Sequence, residues 1–362
     1  MRLPAVQLKV LIGRRVPKPA PPWLLTAVEN VEVTHDVEKR SGFELILRVG
    51  RGRKDIADYR AFQDPTLQPQ SRVVLVVVFG TWSQVLMDGI VTQRQFTTGS
   101  RPGEGHLTLQ GNDMTVLMEA EEKTRGHPQQ SAPRIVGTVL DEYRNLGMEP
   151  RISFPTHLES PSRDDWLPTQ RSTDLTLIQS LAQRHGYVFF LEPGPAPGHV
   201  TAWWGPPFRE GVRQKPLRVN LGPDSNAEIS NFHYDALAPV QVEGRVWDAN
   251  RKTGVAITAA PRGDLSAQVK TRKLAPGGLK REEAVAQAGG KVLAADAQRL
   301  RVTGTLDPGR YLGLLRTHAY VEVQGAGRLH DGRYEVRRVT HEIRPGSYRQ
   351  SFTLARPARE VL

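Results

Sequence analysis

The sequence predicts an α+β protein, predominantly antiparallel β, in which strand-rich segments flank a smaller helix-containing region. Three observations carry this. Phe43, Leu45, Leu47 and Val49 alternate with Glu44, Ile46 and Arg48, the period of a strand that buries one face completely and the other in part. Val73-Val-Leu-Val-Val-Val-Phe79 is a continuous β-branched run, expected of a strand covered on both faces. Between Gln170 and Leu191 a capped helix, a glycine stop and an apolar strand follow one another without a gap.

Composition bounds the rest. At roughly 150 residues per domain, 362 residues imply two or three domains, each able to bury a core. The 38% hydrophobic and 24% charged residues are those of a globular protein, and 27 prolines with 33 glycines predict many turns. Cysteine is absent, which excludes disulfides, thiolate metal sites and cysteine nucleophiles. No segment approaches the roughly 20 apolar residues that span a bilayer, and no signal peptide opens the chain, so folding in the cytoplasm without membrane insertion is expected. The 49 basic and 38 acidic residues leave +11, which invites a nucleic-acid reading. Dispersed arginines alternating with apolar residues, as in Tyr334-Glu-Val-Arg-Arg-Val-Thr-His, favour solvated strand faces or an acidic protein partner instead.

Along the chain, Val6 to Ile12 is apolar and precedes Pro17 to Pro22, expected as an extended linker or arm. Val85 to Phe96 and His106 to Gln110 read as strands joined across Gly99-Ser-Arg-Pro-Gly, and such closely spaced antiparallel strands form a barrel or a sandwich. Asp113 is suited to cap a helix from Met114 to Lys123, and Ile135, Val139 and Leu146 mark another before Gly147. Ser172 or Thr173 caps the next, Asp174 suits its dipole, and Leu175, Ile178, Leu181 and Ala182 form a stripe to be buried. Gly186 stands where a left-handed terminator is needed, before strands Tyr187 to Leu191 and Val200 to Trp204. Adjacent strand residues face opposite ways, so one of Trp203 and Trp204 enters the core while the other meets a neighbouring surface, or curvature buries both. Strand character returns from Glu228, with Pro239 to Trp247 pairing with Gly254 to Thr258. The basic stretch Pro261 to Lys280 leads into a helix with Glu282 and Glu283 in its first turn and a stripe of Val285, Ala288, Val292 and Ala295. Its Gly289-Gly290 costs about 1 kcal/mol per glycine relative to alanine but permits close helix packing. A strand at Ala319 to Val323, a turn at Asp331-Gly332 leading into a long strand to Ile343, and a last strand presenting Tyr348, Phe352 and Leu354 on a single face complete the chain. The apolar phase switches along Tyr334 to Ile343, predicting a β-bulge near Arg337 and Arg338.

The unit from Gln170 to Leu191 resembles that of the phage late control D, tail-hub and VgrG-type proteins of contractile injection machines. Three further segments match the family in order: Gly111-Asn-Asp-Met-Thr-Val-Leu-Met with Glu122-Lys-Thr-Arg125; Val302-Thr-Gly through Asp307-Pro-Gly-Arg; and Asp331-Gly-Arg-Tyr-Glu-Val-Arg-Arg-Val-Thr-His-Glu-Ile with Gly346-Ser-Tyr-Arg-Gln-Ser-Phe-Thr-Leu-Ala-Arg. The resemblance runs from Val28 to Arg356. It implies two tail-tube-like β-barrels, residues 1–120 with an N-terminal arm and 226–362 with one helix, flanking an α+β insert at 121–225. It further implies a homotrimeric structural baseplate hub. Its six barrels would match a hexameric inner tube or tube-initiator protein on one side and a spike on the other, with further baseplate proteins around them. Many relatives continue into a further barrel and a needle, whereas this sequence stops at Leu362, so a separately encoded spike is expected, as is assembly in the bacterial cytoplasm into a virion or injection particle.

The residues themselves point to no catalysis, cofactor or metal. The ten histidines lack metal-ligand spacing: His341-Glu342 has no second histidine, and His330-Asp331 falls in a turn. Asp164-Asp165 and Glu121-Glu122 are paired in sequence only, and neither Gly325-Ala-Gly327 nor Gly103-Glu-Gly105 precedes a phosphate-cradling helix. His185 is expected to favour a helix dipole. Partner contacts are expected from the proline arm, from Arg262, Lys270, Arg272 and Lys273 in the basic stretch, and from Trp204. A tail-associated peptidoglycan hydrolase and, less favoured, a basic nucleic-acid-binding protein are the alternatives.

Overall fold

Two ladders with the same strand order, joined edge to edge, form the frame of the molecule. The computed structural model describes residues 6–14, 16–50, 59–101, 104–155, 169–209, 212, 214–248, 252–261, 269–274 and 279–356. In the first ladder the spatial order is Val28–Asp36, Gly42–Gly50, Glu104–Asp113, Trp82–Thr98, Arg72–Phe79, Val6–Gly13, antiparallel throughout. The second runs Ala227–Tyr234, Leu300–Leu306, Ser347–Arg356, Gly332–Arg344, Tyr320–Gln324, Leu217–Arg218. Each position is filled in the same chain order in both, which marks a structural duplication; they differ at the last pair, parallel in the second ladder. Gly332–Arg344 pairs with Val28–Asp36, from Arg338↔Asp36 to Ile343↔Val31, and fuses the ladders into one 13-stranded sheet. Among the described residues no pairing closes either ladder. The expected barrels are therefore open sheets within this chain.

The patterns read from sequence explain most of the burial. Phe43, Leu45, Leu47 and Val49 are all buried in the first core. Val73, Leu75, Val77 and Phe79 share that core while Val74 and Val76 pack on the opposite face with Val85, so the β-branched run is covered on both sides as expected. The final strand turns Tyr348 into the first core and Phe352 and Leu354 into the second. Its partner shows the expected bulge, the register shifting between Val336 and Arg338.

The insert packs helices Ala132–Asp141 and Asp174–Arg184 on the strands Met148–Ile152, Val188–Pro193 and Val200–Gly205. Thr173 caps the second helix by accepting the Thr176 N–H at 3.2 Å, and its whole apolar stripe is buried. Gly186, at φ +65°, ends it. A third unit places helix Arg281–Asp296 on the sheet of Val240–Asp248, Thr253–Ala259 and Lys270–Lys273.

Three elements depart from expectation. Asp113 caps only the short 3-10 turn Met114–Met118, because Glu122–Gly126 is taken up by pairing with Thr169–Thr173. The proline stretch is not a free arm: Lys18–Pro19 pairs with Val6–Gly13, Ala20 donates to the Val10 carbonyl at 2.8 Å, and Pro22–Ala27 forms a short helix with Leu24 buried. In the last long helix the buried residues are Ala284, Ala288, Val292 and Asp296, and Val285 is exposed. There the glycines do permit close packing. A Cβ on Gly290 would lie 3.2 Å from Gly186 Cα, so the two helices meet glycine to glycine.

Candidate assembly surfaces and the junction cavity

Arg72 begins the β-branched strand, and Asp88 interrupts the apolar run Val85-Leu-Met-Asp-Gly-Ile. Both are buried, and Arg72 Nε and Nη2 grip the two carboxylate oxygens at 2.6 and 2.8 Å. A buried pair is stable only when its remaining valences are filled. The turn at Gly198 fills them, its carbonyl accepting from Arg72 at 3.3 Å and its N–H donating to Asp88 at 3.2 Å. This pair docks the insert on the first ladder. Sequence reasoning missed it, although two polar residues among strand apolars were the signal.

A second junction is a cavity of about 50 Å³ lined by residues of both ladders and the insert, among them His35, Phe190, Glu192, Arg316, His318 and His341. His35 Nε2 donates to the Leu86 carbonyl at 2.8 Å, and Nδ1 lies 3.4 Å from Ser41 Oγ. His341 Nδ1 is 2.9 Å from the Tyr348 hydroxyl, and His318 stacks on Phe190 at 3.6 Å with Nδ1 3.0 Å from the Pro207 carbonyl. Burial lowers the pKa of all three, that of His318 to about 4, so each is neutral at pH 7. Ser41 has a histidine beside it, but the other nitrogen of that histidine is held by a carbonyl rather than a carboxylate. The triad logic of an activated nucleophile is not met. Arg209 clamps Glu192 at 2.6 and 2.9 Å, completing a packed polar joint.

Nearby, Glu335 is buried 3.6 Å from Arg337. Burial pushes its pKa up to about 7 against the pull of Arg337 and Arg333. Because its folded pKa exceeds the ordinary 4.5, its contribution to stability is complete below that value and is lost as pH rises through 7. His318 has the opposite sign: its contribution is complete above 6.5 and lost as pH falls towards 4. Glu335→Gln is therefore expected to raise the thermal midpoint at pH 8 and leave it nearly unchanged at pH 4; equal shifts at both pH values in a melting series would contradict the assignment.

Of the residues singled out from sequence, Lys270, Arg272 and Lys273 come together on one exposed strand, paired in parallel with Val240–Asp248, and Lys273 bridges Glu243 at 2.8 Å. Arg262 and Asp164-Asp165 lie outside the described residues. Trp204 is fully buried in the insert, donating Nε1–H to the Ile178 carbonyl at 3.2 Å, so as placed it has no surface to offer a partner. Trp203, on the other face, is half-buried beside Arg209. His185 packs edge-on to Trp204, and burial lowers its pKa, which replaces the dipole role expected of it by packing. Asp174, expected merely to suit a dipole, is fully buried and accepts from Lys123 at 2.5 Å, Tyr143 at 2.7 Å and Gln170 at 2.8 Å. Burial alone would raise its carboxyl, and these donors hold it below the usual range. Among the described residues no three His, Asp or Glu side chains converge as metal ligands.

Comparison of the sequence with protein-family models and with curated proteins returns no match. Structure comparison does. A tail protein from Neisseria meningitidis MC58 superposes with a TM-score of 0.66 at 12% identity, over 98% of this chain and 99% of that one. The 43 kDa tail protein of prophage MuSo2 from Shewanella oneidensis gives 0.67 at 11% identity, over 98% and 99%. An E. coli component of the type VI secretion system, described as structurally similar to the T4 bacteriophage tail proteins gp27 and gp5, gives 0.56 at 12% identity over 92% and 74%. The chain has the tail-hub fold. Within the tail-hub fold the two docking joints are internal, one at Arg72 and Asp88 and the other at the histidine cavity, whereas the basic strand lies on the outside.

Proposed function

We propose that the chain is a non-enzymatic structural hub at the centre of a contractile baseplate, acting as a homotrimer that joins a hexameric inner tube to a spike. The observation that carries this reading is the duplication: two ladders of equal strand order per chain give six in a trimer, so a threefold particle can offer sixfold-like sites to a tube. On this reading the protein assembles in the bacterial cytoplasm and is built into a phage virion or an injection particle with other baseplate proteins. The strand Lys270–Lys273 meets an acidic neighbour there.

Mass photometry and electron microscopy of the chain mixed with its tube and spike proteins are expected to give threefold particles; a chain that stays monomeric alone and in the mixture overturns the proposal. Clearing of peptidoglycan in a zymogram would overturn its non-enzymatic part. Replacing Lys270, Arg272 and Lys273 together by Glu is expected to weaken co-assembly at least tenfold at low salt while leaving the melting curve unchanged, since exposed charges add little to stability. Wild-type co-assembly by that variant at every salt concentration would remove the basic strand from the interface.

A further inference from the structure

The small sheet of Val240–Asp248, Thr253–Ala259 and Lys270–Lys273 has two edges of opposite character. Thr253–Ala259 holds no charged residue, whereas Lys270-Thr-Arg-Lys273 is cationic at three of its four positions and exposed at all of them. One hydrogen bond orients the backbone of the basic edge: the Leu274 N–H donates to the Glu243 carbonyl at 2.7 Å. Successive residues of a strand point their N–H and C=O groups to alternate sides, so Lys270 and Arg272 also bond inward, and the backbone groups of Thr271 and Lys273 face outward. Among the described residues no strand lies on that side. The side chains divide between the faces. Lys270 and Arg272 stand level with Val240 and Val242 on the face that carries the helix Arg281–Asp296, and Lys273 stands level with Glu243 on the other. Lys273 bridges Glu243 at 2.8 Å, while among the described residues Lys270 and Arg272 have no carboxylate partner.

Resting on the hub reading and its acidic neighbour, we infer that this edge takes up an acidic, extended segment of a baseplate partner as an added strand, bonded through the backbone of Thr271 and Lys273. Side-chain charge supplies the selectivity. Cations on both faces of one short strand call for carboxylates at neighbouring positions of the incoming strand, because opposite charges across a strand pair stabilise it and like charges destabilise it. The same rule excludes the basic edge of a second copy, which would set cations against cations. Charges can also serve only to keep a bare edge from pairing. The uncharged edge Thr253–Ala259 goes without such protection, so in this sheet the cations are placed at one edge alone, where they match a partner.

The probe is a fluorescent form of the synthetic peptide acetyl-Val-Glu-Glu-Thr-Glu-Val-amide, titrated into the full-length chain at low salt and followed by anisotropy. Thr271→Pro removes an outward N–H, keeps all three cations and breaks no inward bond, and proline is tolerated at such edge positions. It is expected to weaken peptide binding about tenfold, the effect of a lost hydrogen bond whose partner is left unmet. The same peptide N-methylated at alternate residues keeps its charge but cannot form a ladder, and is expected to bind the wild-type chain about tenfold more weakly as well. That second comparison decides the matter even where the proline variant melts early. Equal affinity of the plain and methylated peptides overturns strand addition, as does a plain peptide that fails to bind at millimolar concentration. Self-association of the chain that Thr271→Pro abolishes would put a second copy on the edge and overturn the acidic partner. None of these results touches the hub reading, which fails instead if no threefold particles form with tube and spike proteins.

Discussion

Gly147→Ala is expected to detach the insert from the first ladder. Gly147 ends a 3-10 turn with φ +85°, and a Cβ there would lie 1.8 Å from the carbonyl oxygen of Gly198. The left-handed conformation costs an ordinary residue about 1–3 kcal/mol, and forced overpacking adds about 1–3. Relief by moving Gly198 is blocked, because that turn supplies the hydrogen bonds that satisfy the buried Arg72 and Asp88. Loss of about 2 to 6 kcal/mol is therefore expected, read by urea unfolding together with hydrogen exchange over residues 132–205. Gly80→Ala is the matched control: it too has a positive φ, but open space around it. Equal losses for both variants would show that only the backbone angle matters and that the docking contact is unimportant.

Trp204→Ala is expected to cost about 3–5 kcal/mol, the range for deleting a buried aromatic side chain. It is fully buried, is met edge-on by Tyr187 at 5.1 Å, and its N–H holds the Ile178 carbonyl inside the helix Asp174–Arg184. Its neighbour Trp203 is half-buried, so Trp203→Ala should cost far less. Thermal unfolding of the isolated chain separates the cases. A wild-type midpoint for Trp204→Ala, with loss appearing only on assembly, would restore Trp204 to the partner surface first expected of it.

Much of the fold was legible because one physical signal dominated locally. Alternation at Phe43 to Val49, a β-branched run at Val73 to Phe79 and a phase switch at Arg337 each report which side of a strand is dry. What failed did so where the signal was degenerate or the cause distant. Among the many alanines of Arg281–Asp296, buried and exposed flanks look alike, so Val285 attracted a stripe that belongs to Ala284. Asp113 is a sound cap, yet pairing of Glu122–Gly126 with a strand more than forty residues on stops the helix. The candidate surfaces were half legible. Charge marked Lys270 to Lys273, but nothing in an adjacent pair of tryptophans tells which one the insert swallows, and the docking of Gly198 on Arg72 joins residues 126 positions apart.

The pairing of Val28–Asp36 with Gly332–Arg344 also sets a schedule. Arg338 and Asp36 stand 302 residues apart. At roughly 5–20 residues per second of synthesis, the first ladder waits about 15–60 s before its covering strand leaves the ribosome. Throughout that interval the outer edge of Val28–Asp36 is without its covering strand. For that time the unpaired N–H and C=O groups of Val28–Asp36 are open to any other strand. The order of translation therefore sets when that edge becomes protected.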